Sequence, residues 1–237
     1  MKNIIKKENF EKETSEVLQD TINQIIEGLT GIASSKKEEI ILSVGHIFQQ
    51  MRSGQFLSTL LKEWNEFRDK GKINNDYQNT EQHYSCLSEI LDFLDKEIPD
   101  KQRFDNLKKI LLVASTENIS DRNSVLPYYY MKIVRNLSSG AILILFSNYT
   151  KYLQNDWVDN GNVSALKWLS DIQQISGLEH KELIEIYEEE LIKYKIISHR
   201  KYPDDSGVDL KPNYRFSSLG LEICKFISAY DEIKKAV

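Results

Sequence analysis

Proline and glycine are scarce in this 237-residue chain, which has only four prolines and ten glycines. Both residues interrupt or weaken helices, so their scarcity among abundant Leu, Ile, Lys and Glu favours long helices over a strand-rich sandwich. Long apolar runs are also missing. The strongest run, 141–146, is far shorter than the roughly 18 residues that span a bilayer. The sequence therefore predicts a mainly α protein, with this run as a core segment.

Cysteine is also rare, with Cys86 and Cys224 far apart and sharing no motif with a histidine. The N-terminus begins with basic residues but has no apolar stretch like that of a signal peptide. We therefore expect a cytoplasmic protein in which both thiols are buried as small apolar side chains, without a disulfide.

No strong excess of one charge is present, since the formal net charge is −5 and the signs are mixed. This pattern predicts no general attraction to nucleic acid or to an anionic membrane. Hydrophobic residues make up 41% and charged residues 28%, which is ordinary for a globular protein and unlike a disordered one. The length suits two small domains, each with its own core.

Catalytic signatures are lacking as well. The sequence has no glycine-rich phosphate loop, no nucleophile elbow and no kinase motif. The histidines are scattered and show no zinc-binding spacing, so no metal site is supported. They are His46, His83, His180 and His199. We therefore expect a non-enzymatic protein without a cofactor.

The first part of the chain, 1–136, shows apolar residues at helical spacing and predicts some five or six helices. A capping box at 35–38 predicts a helix start, and Ser53-Gly54 a break. Pro99 should stop one helix, and Pro127 should lie in a first turn or cause a kink. A new cap around 136–139 marks the predicted domain boundary, between 136 and 137.

In the second part, 137–237, a short helix, a glycine turn, another helix, two alternating segments and a closing helix follow one another, and this order resembles a winged-helix domain. A short helix at 165–174, with Leu166, Leu169 and Ile172 inward, leads through a glycine turn to a third helix at 179–194. Alternating segments at 196–201 and 213–216 match the two strands of a wing, with a turn-rich tip at 203–207. A closing helix begins at Ser217-Ser218-Leu219-Gly220. The resemblance implies a helix-turn-helix and a two-stranded β-hairpin.

The third helix of a winged-helix domain can lie in the DNA major groove, but this one carries mostly acidic residues. With Leu183, Ile184, Tyr187, Leu191 and Tyr194 toward the core, the predicted outer face holds Lys181, Glu182, Glu185, Glu188, Glu189 and Lys193. From 137 to 237 there are 12 Lys and Arg against 15 Asp and Glu, a net charge of −3. Carboxylates repel phosphates, so this helix is a poor DNA reader. The glutamates indicate either a solvated face or a docking surface for a basic partner, comprising Glu182, Glu185, Glu188 and Glu189.

Basic residues gather instead along the predicted wing. They indicate either a solvated hairpin protected against edge pairing or a set of phosphate contacts. The residues are Lys195, His199, Arg200, Lys201, Lys211 and Arg215.

The order of third helix, wing and Phe216-Ser217-Ser218-Leu219-Gly220 is also similar to the tail of abortive-infection alpha-type bacterial proteins. That similarity implies phage defence and no particular chemistry. Three hypotheses follow, of which an enzyme with an unrecognised site is the least favoured. The favoured one is a bacterial interaction or assembly protein that binds a protein partner or itself. The alternative is a winged-helix DNA-binding regulator that contacts DNA mainly through the basic wing.

Overall fold

The structure, a computed structural model, describes residues 34–78, 80–116, 125–154, 163–200, 209–210 and 215–235. Helices dominate this part of the chain, so the prediction of a mainly α protein is confirmed. The chain divides into two compact units, Met1–Met131 with Ile233–Val237, and Lys132–Glu232. That division lies in the helix at whose end the domain boundary is predicted.

The helices of the first unit are α1 (Ser34–Gln49), α2 (Met51–Asp69), the short α3 (Asn75–Gln78), α4 (Glu81–Lys96) and α5 (Lys101–Thr116). Helix α6 (Leu126–Asn136) begins in this unit and continues into the next. Helix α1 packs against α2 and α4, and α4 packs against α5. Apolar side chains on nearly every side of α5 are buried, and α5 packs against α4 and α2. Its Lys108 is buried too and reaches Glu63 on α2 at 2.7 Å.

Two helix boundaries of the first unit follow the sequence signals and one does not. Helix α4 ends before Pro99, and Pro127 lies in the first turn of α6, as predicted. The break expected at Ser53-Gly54 occurs instead at Gln50, whose extended backbone separates α1 from α2. Ser53 and Gly54 are buried in α2. The predicted helix across 9–29 lies outside the described residues.

The second unit contains helix α7 (Ser139–Leu153), strand β1 (Val163–Ser164), helices α8 (Ala165–Ser176) and α9 (Lys181–Lys193), strand β2 (Asp209–Leu210) and helix α10 (Ser218–Lys235). The cap predicted before α7 is confirmed, because the Ser138 hydroxyl accepts a hydrogen bond from the Ala141 amide at 3.1 Å. Ser217 caps α10 in the same way, accepting from the Gly220 amide at 2.9 Å. Helix α7 packs against both α8 and α9.

Strand pairing in the second unit is slight. The two-residue strands β1 and β2 pair antiparallel, with Val163 opposite Leu210. One isolated antiparallel bridge joins Ile197 to Phe216. The predicted two-stranded hairpin is not seen in the described residues, and its tip at 203–207 lies outside them.

The core of the second unit corrects two inward assignments. On α8, Leu169 and Ile172 are buried as predicted, but Leu166 is 77% exposed and Trp168 takes the buried position. On α9, Ile184 and Leu191 are buried, whereas Leu183 is 37% exposed. In both helices the buried stripe is narrower than the apolar pattern, so one leucine from each faces water.

Two helices end in the same left-handed turn with different residues at its key position. After α2, Gly71 has φ +64° and its amide bonds to the carbonyl of Arg68 at 2.8 Å. After α9, Lys195 has φ 59°, and its amide bonds to the carbonyl of Ile192 at 2.9 Å. Glycine is the usual residue at such helix ends, because a Cβ costs energy at positive φ. Lys195 therefore turns the chain sharply out of α9 at some cost in strain.

Candidate functional site

Helix α9 has a buried face that includes a charged residue. Ile184, Glu188 and Leu191 recur at spacings of four and three, which places them on one side of the helix. All three are buried, and Glu188 is only 3% exposed. A carboxylate in such a position is costly unless it is paired and hydrogen-bonded.

Glu188 is paired with two arginines. Nε of Arg200 donates to Oε2 of Glu188 at 2.5 Å, and Nη2 of Arg215 lies 2.5 Å from Oε1. Arg200 also reaches Oε1 of Glu185 at 3.3 Å, one turn earlier on α9. We call Glu185, Glu188, Arg200 and Arg215 the ion cluster. Its two acidic and two basic side chains balance in formal charge.

Arg215 is the most deeply buried member of the ion cluster, at 0% exposure. Burial lowers the pKa of its guanidinium, and the nearby Glu188 carboxylate opposes that shift. Its Nη1 has no hydrogen-bond partner among the described residues, and its contact with Glu188 is a close ion pair without hydrogen-bond alignment. The cation therefore depends on Glu188 for electrostatic compensation.

A polar layer beneath the ion cluster joins α7 to α8. Oδ1 of Asn148 accepts from Nε1 of Trp168 at 2.8 Å and from Nε of Arg215 at 3.3 Å. Its Nδ2 donates to the carbonyl of Ile144 at 2.8 Å. Asn148 is thus a buried connection between the indole of α8 and the arginine before α10. Each of these bonds satisfies a group that would otherwise be buried alone.

Two side contacts hold α9 against the start of α7. The Glu190 carboxylate accepts from the amide and the hydroxyl of Ser138, both at 2.7 Å. The ring of Tyr187 lies over Gly140, where a Cβ would overlap it. These contacts use side chains that project between the buried face and the opposite side of the helix.

The opposite side of α9 faces solvent. Glu182, Ile186, Glu189 and Lys193 follow one another at spacings of four, three and four, so they form one stripe. All four are exposed, and Ile186 is 57% exposed. The partly exposed Leu183 lies beside them. We call Glu182, Leu183, Ile186, Glu189 and Lys193 the outer face of α9.

The structure separates the four glutamates predicted as a docking surface. Glu182 and Glu189 lie on the outer face, as expected. Glu185 is half-buried and paired with Arg200. Glu188 is buried in the ion cluster, which corrects its assignment to the solvent-facing side. Helix α9 is therefore rotated relative to the prediction, so that two of these glutamates face solvent and two contact arginines.

The residues predicted to contact phosphates are also divided. Lys195 and His199 are exposed, and Lys201 and Lys211 lie outside the described residues. Arg200 and Arg215 are buried, which corrects their placement on a solvent-facing wing. Their guanidinium groups bind Glu188, so they present no surface for a phosphate in this structure.

The position of Glu188 in the sequence indicates that it is buried, although the predicted outer face of α9 includes it. Glu188 occupies the middle position of the stripe that runs from Ile184 to Leu191. A single acidic residue at a core position indicates either a wrong face or a buried partner. No sequence feature predicts the hydrogen bond between Trp168 and Asn148, because it joins two helices that are separate in sequence.

Burial also shifts the pKa values of ionisable groups elsewhere in the described residues. Burial raises the pKa of Cys86 to about 12 and raises that of Cys224 above its usual range, so both thiols stay protonated near neutral pH. Both cysteines are free and buried, as predicted. Burial lowers the pKa of His83 to about 4, and no hydrogen-bond partner for its Nδ1 is present in the part of the chain that the structure describes. His46 is exposed and contacts Asp95.

Among the described residues, no group of His, Cys, Asp and Glu side chains is arranged to hold a metal ion. None of the helices in this part of the chain is both long enough and apolar enough to cross a membrane. In comparisons with protein-family models, curated proteins and solved structures, nothing matches this chain. Function is therefore inferred from the site itself.

Proposed function

We propose that this protein is a non-enzymatic interaction or assembly protein, whose second unit is a winged-helix-like module that binds through the outer face of α9. One observation carries the proposal. The outer face exposes an isoleucine between charged residues on a helix that is well anchored by its other sides. An apolar centre with a charged rim is the usual composition of a protein contact surface.

The winged-helix assignment is supported by element order. Helix α7, strand β1, the pair α8 and α9, a bridged return at Ile197 and Phe216, and α10 follow one another as in that family. In such an arrangement α9 corresponds to the helix that contacts the ligand. Its acidic and apolar outer face suits a protein better than a phosphate backbone.

The DNA-binding alternative loses support because Arg200 and Arg215 are engaged by Glu188. Lys195 and His199 are the exposed basic residues with which it can be tested. A mobility-shift titration at low salt should compare the wild type with a Lys195→Glu/His199→Glu variant. We expect no shift with the wild type. A salt-sensitive shift that this variant abolishes would favour the DNA-binding alternative.

Phage defence is the setting that we propose from the similarity of the tail to abortive-infection alpha-type proteins. The measurement is the efficiency of plating of a phage panel on bacteria that express the chain. The wild type should reduce plating and the Ile186→Asp variant should not. Equal plating with and without the chain would contradict a role in phage defence. It would not bear on the proposed interaction surface.

The interaction surface is tested by affinity capture with three full-length baits. They are the wild type, Ile186→Asp on the outer face, and Leu166→Asp as a matched control. Leu166 is 77% exposed on α8, so its substitution changes a neighbouring helix without altering α9. We expect captured proteins to bind the wild type and the control but not Ile186→Asp, and to rebind as purified proteins. The same proteins on all three baits would contradict the proposal. So would the absence of captured protein on every bait together with a chain that does not associate with itself.

A further inference from the structure

The outer face of α9 has opposite charges at its two ends. Glu182 lies in the first turn and Lys193 in the last, and both are exposed. A separation of eleven positions makes about three turns, so the two side chains lie on the same side, roughly 16 Å apart along the axis. The exposed Ile186 lies between them. Two copies of this surface are complementary in charge when one is turned through 180° relative to the other.

We propose that the partner bound by the outer face of α9 is a second copy of this chain, with the two α9 helices antiparallel around a two-fold axis. This inference rests on the proposed function, because it names the partner of the same surface. In a two-fold contact each residue pair occurs twice. Glu182 of each copy then faces Lys193 of the other.

The same register brings the apolar centres together. With Glu182 opposite Lys193, the two-fold axis passes between Tyr187 and Glu188 in sequence. The two Ile186 side chains then lie about 4.5 Å apart along the axis, less than one helical turn. Each Ile186 also faces Glu189 of the other copy. Antiparallel helices additionally place each positive helix end near a negative one.

Charge complementarity favours this occupant over a uniformly basic segment. A basic segment would gain from Glu182 and Glu189 but would be repelled by Lys193 and by the exposed Lys195 that follows the helix. A second copy offers a carboxylate to each lysine end. The contact is a single helix pair, so the area is at the small end of specific interfaces, and we expect a dissociation constant in the micromolar range.

Sedimentation equilibrium of the full chain, from about 1 to 200 μM, measures the association. Glu182→Lys and Lys193→Glu should each weaken the dimer at least about tenfold, because each variant creates two like-charge pairs. The double variant Glu182→Lys/Lys193→Glu should restore the wild-type constant. Glu189→Leu should tighten the dimer, since it places a second apolar side chain against Ile186.

A mixture of the two single variants gives the most specific outcome. The Glu182→Lys chain carries a lysine at both ends of its outer face, and the Lys193→Glu chain carries a glutamate at both ends. In a mixed pair each lysine therefore faces a glutamate. The mixture should associate with wild-type strength although neither variant does so alone. Leu166→Asp should associate like the wild type, and circular dichroism should show that every variant remains folded.

A wild-type chain that stays monomeric at about 200 μM would overturn the second-copy inference, and so would single variants that do not complement each other. Neither result contradicts the proposed function if the Ile186-dependent capture of another protein persists. If that capture is also absent, both fail. Loss of association in Ile186→Asp without any effect of the charge variants would likewise reject the antiparallel register.

Discussion

Nη2 of Arg215 lies 2.5 Å from Oε1 of Glu188, while Nε of Arg200 lies 2.5 Å from the other oxygen of the same carboxylate. One glutamate on α9 therefore holds two arginines that are 15 residues apart in the sequence. A backbone hydrogen bond also connects the segments that carry the two arginines, since the Ser198 amide donates to the carbonyl of Arg215 at 2.7 Å. The ion cluster thus ties the segment after α9 to the segment before α10.

Replacing Glu188 with glutamine should destabilise the second unit by about 3 to 5 kcal/mol, because two buried guanidinium groups would lose their shared countercharge. The substitution keeps the size of the side chain, so the loss reports charge rather than packing. Hydrogen exchange followed by mass spectrometry should show faster exchange in α9 and at 196–200, with the helices of the first unit as an internal reference.

Glu189→Gln is the matched control, since it changes the next residue on the exposed side of the same helix. We expect it to alter the free energy of unfolding by no more than about 0.5 kcal/mol. Equal exchange in the two variants would show that the ion cluster contributes little to stability.

Substitutions of Asn148 test whether its side-chain oxygen is needed as a hydrogen-bond acceptor, apart from the space that the side chain fills. Asn148→Leu should cost about 2 to 4 kcal/mol, because the Trp168 indole and the Arg215 Nε would both be left buried without their acceptor. Asn148→Asp keeps an acceptor and adds a negative charge beside Arg215, so it should cost less. Thermal unfolding monitored by circular dichroism ranks the two variants, and the reverse ranking would contradict the role assigned to this oxygen.

Gly220 and Gly45 should respond in opposite directions to the same substitution. A Cβ at Gly220 would overlap the carbonyl oxygen of Ile196, so Gly220→Ala should destabilise by about 1 to 3 kcal/mol. Gly45 lies within α1, and an added Cβ would meet no atom of the described residues within 4 Å, so Gly45→Ala should stabilise by roughly 0.5 to 1 kcal/mol. Denaturant unfolding of both variants measures these changes, and a stabilising Gly220→Ala would refute the close approach.

His83 predicts a loss of stability in mild acid. Burial lowers its pKa to about 4, whereas an unfolded histidine titrates near 6.5. Below about pH 6.5 the unfolded chain binds the extra proton first, so stability is complete above this pH and falls as the pH approaches 4. By about pH 5 the loss should reach about 2 kcal/mol relative to pH 7.

The His83→Phe variant should lose this part of the pH dependence, because phenylalanine can replace the ring between Trp64 and Tyr77 without titrating. Unfolding of both proteins by urea at pH 7 and pH 5 provides the comparison. In the wild type, the NMR signal of the His83 ring should not shift between these two pH values. A ring that titrates near its ordinary value of about 6.5 would mean that it is accessible to water.

Local signals in the sequence were enough to find most helices and some of their ends. Ser138 and Pro99 act on backbone within one turn, so their effects could be read directly. The break at Gln50 could not, because Gln50 has no strong propensity to end a helix, while Ser53 and Gly54 are accommodated in the packed interior of the first unit. Helix rotation was the main error, as Leu166 and Leu183 show.

The candidate site was less accessible to prediction than the fold. Glu182 and Glu189 were correctly placed on an exposed face, since they lie far from the buried stripe. Local charge alone predicts an exposed position for Arg200 and Arg215, whereas their burial depends on a carboxylate that lies 12 or more positions away in sequence. Pairing of this kind is set by tertiary contact, and a single sequence carries no direct record of it.

The tether between Arg200 and Arg215 also fixes both ends of a segment in which β2 is held separately by its pairing with β1. Closing a chain between two anchored points becomes only slightly harder as it lengthens, at about 0.6 kcal/mol for each doubling. The second unit should therefore accept a foreign peptide inserted between Arg200 and β2, with β2 retained, while α9 keeps its place. This gives natural variation and protein engineering a site at which new recognition elements can be grafted beside an unchanged helix.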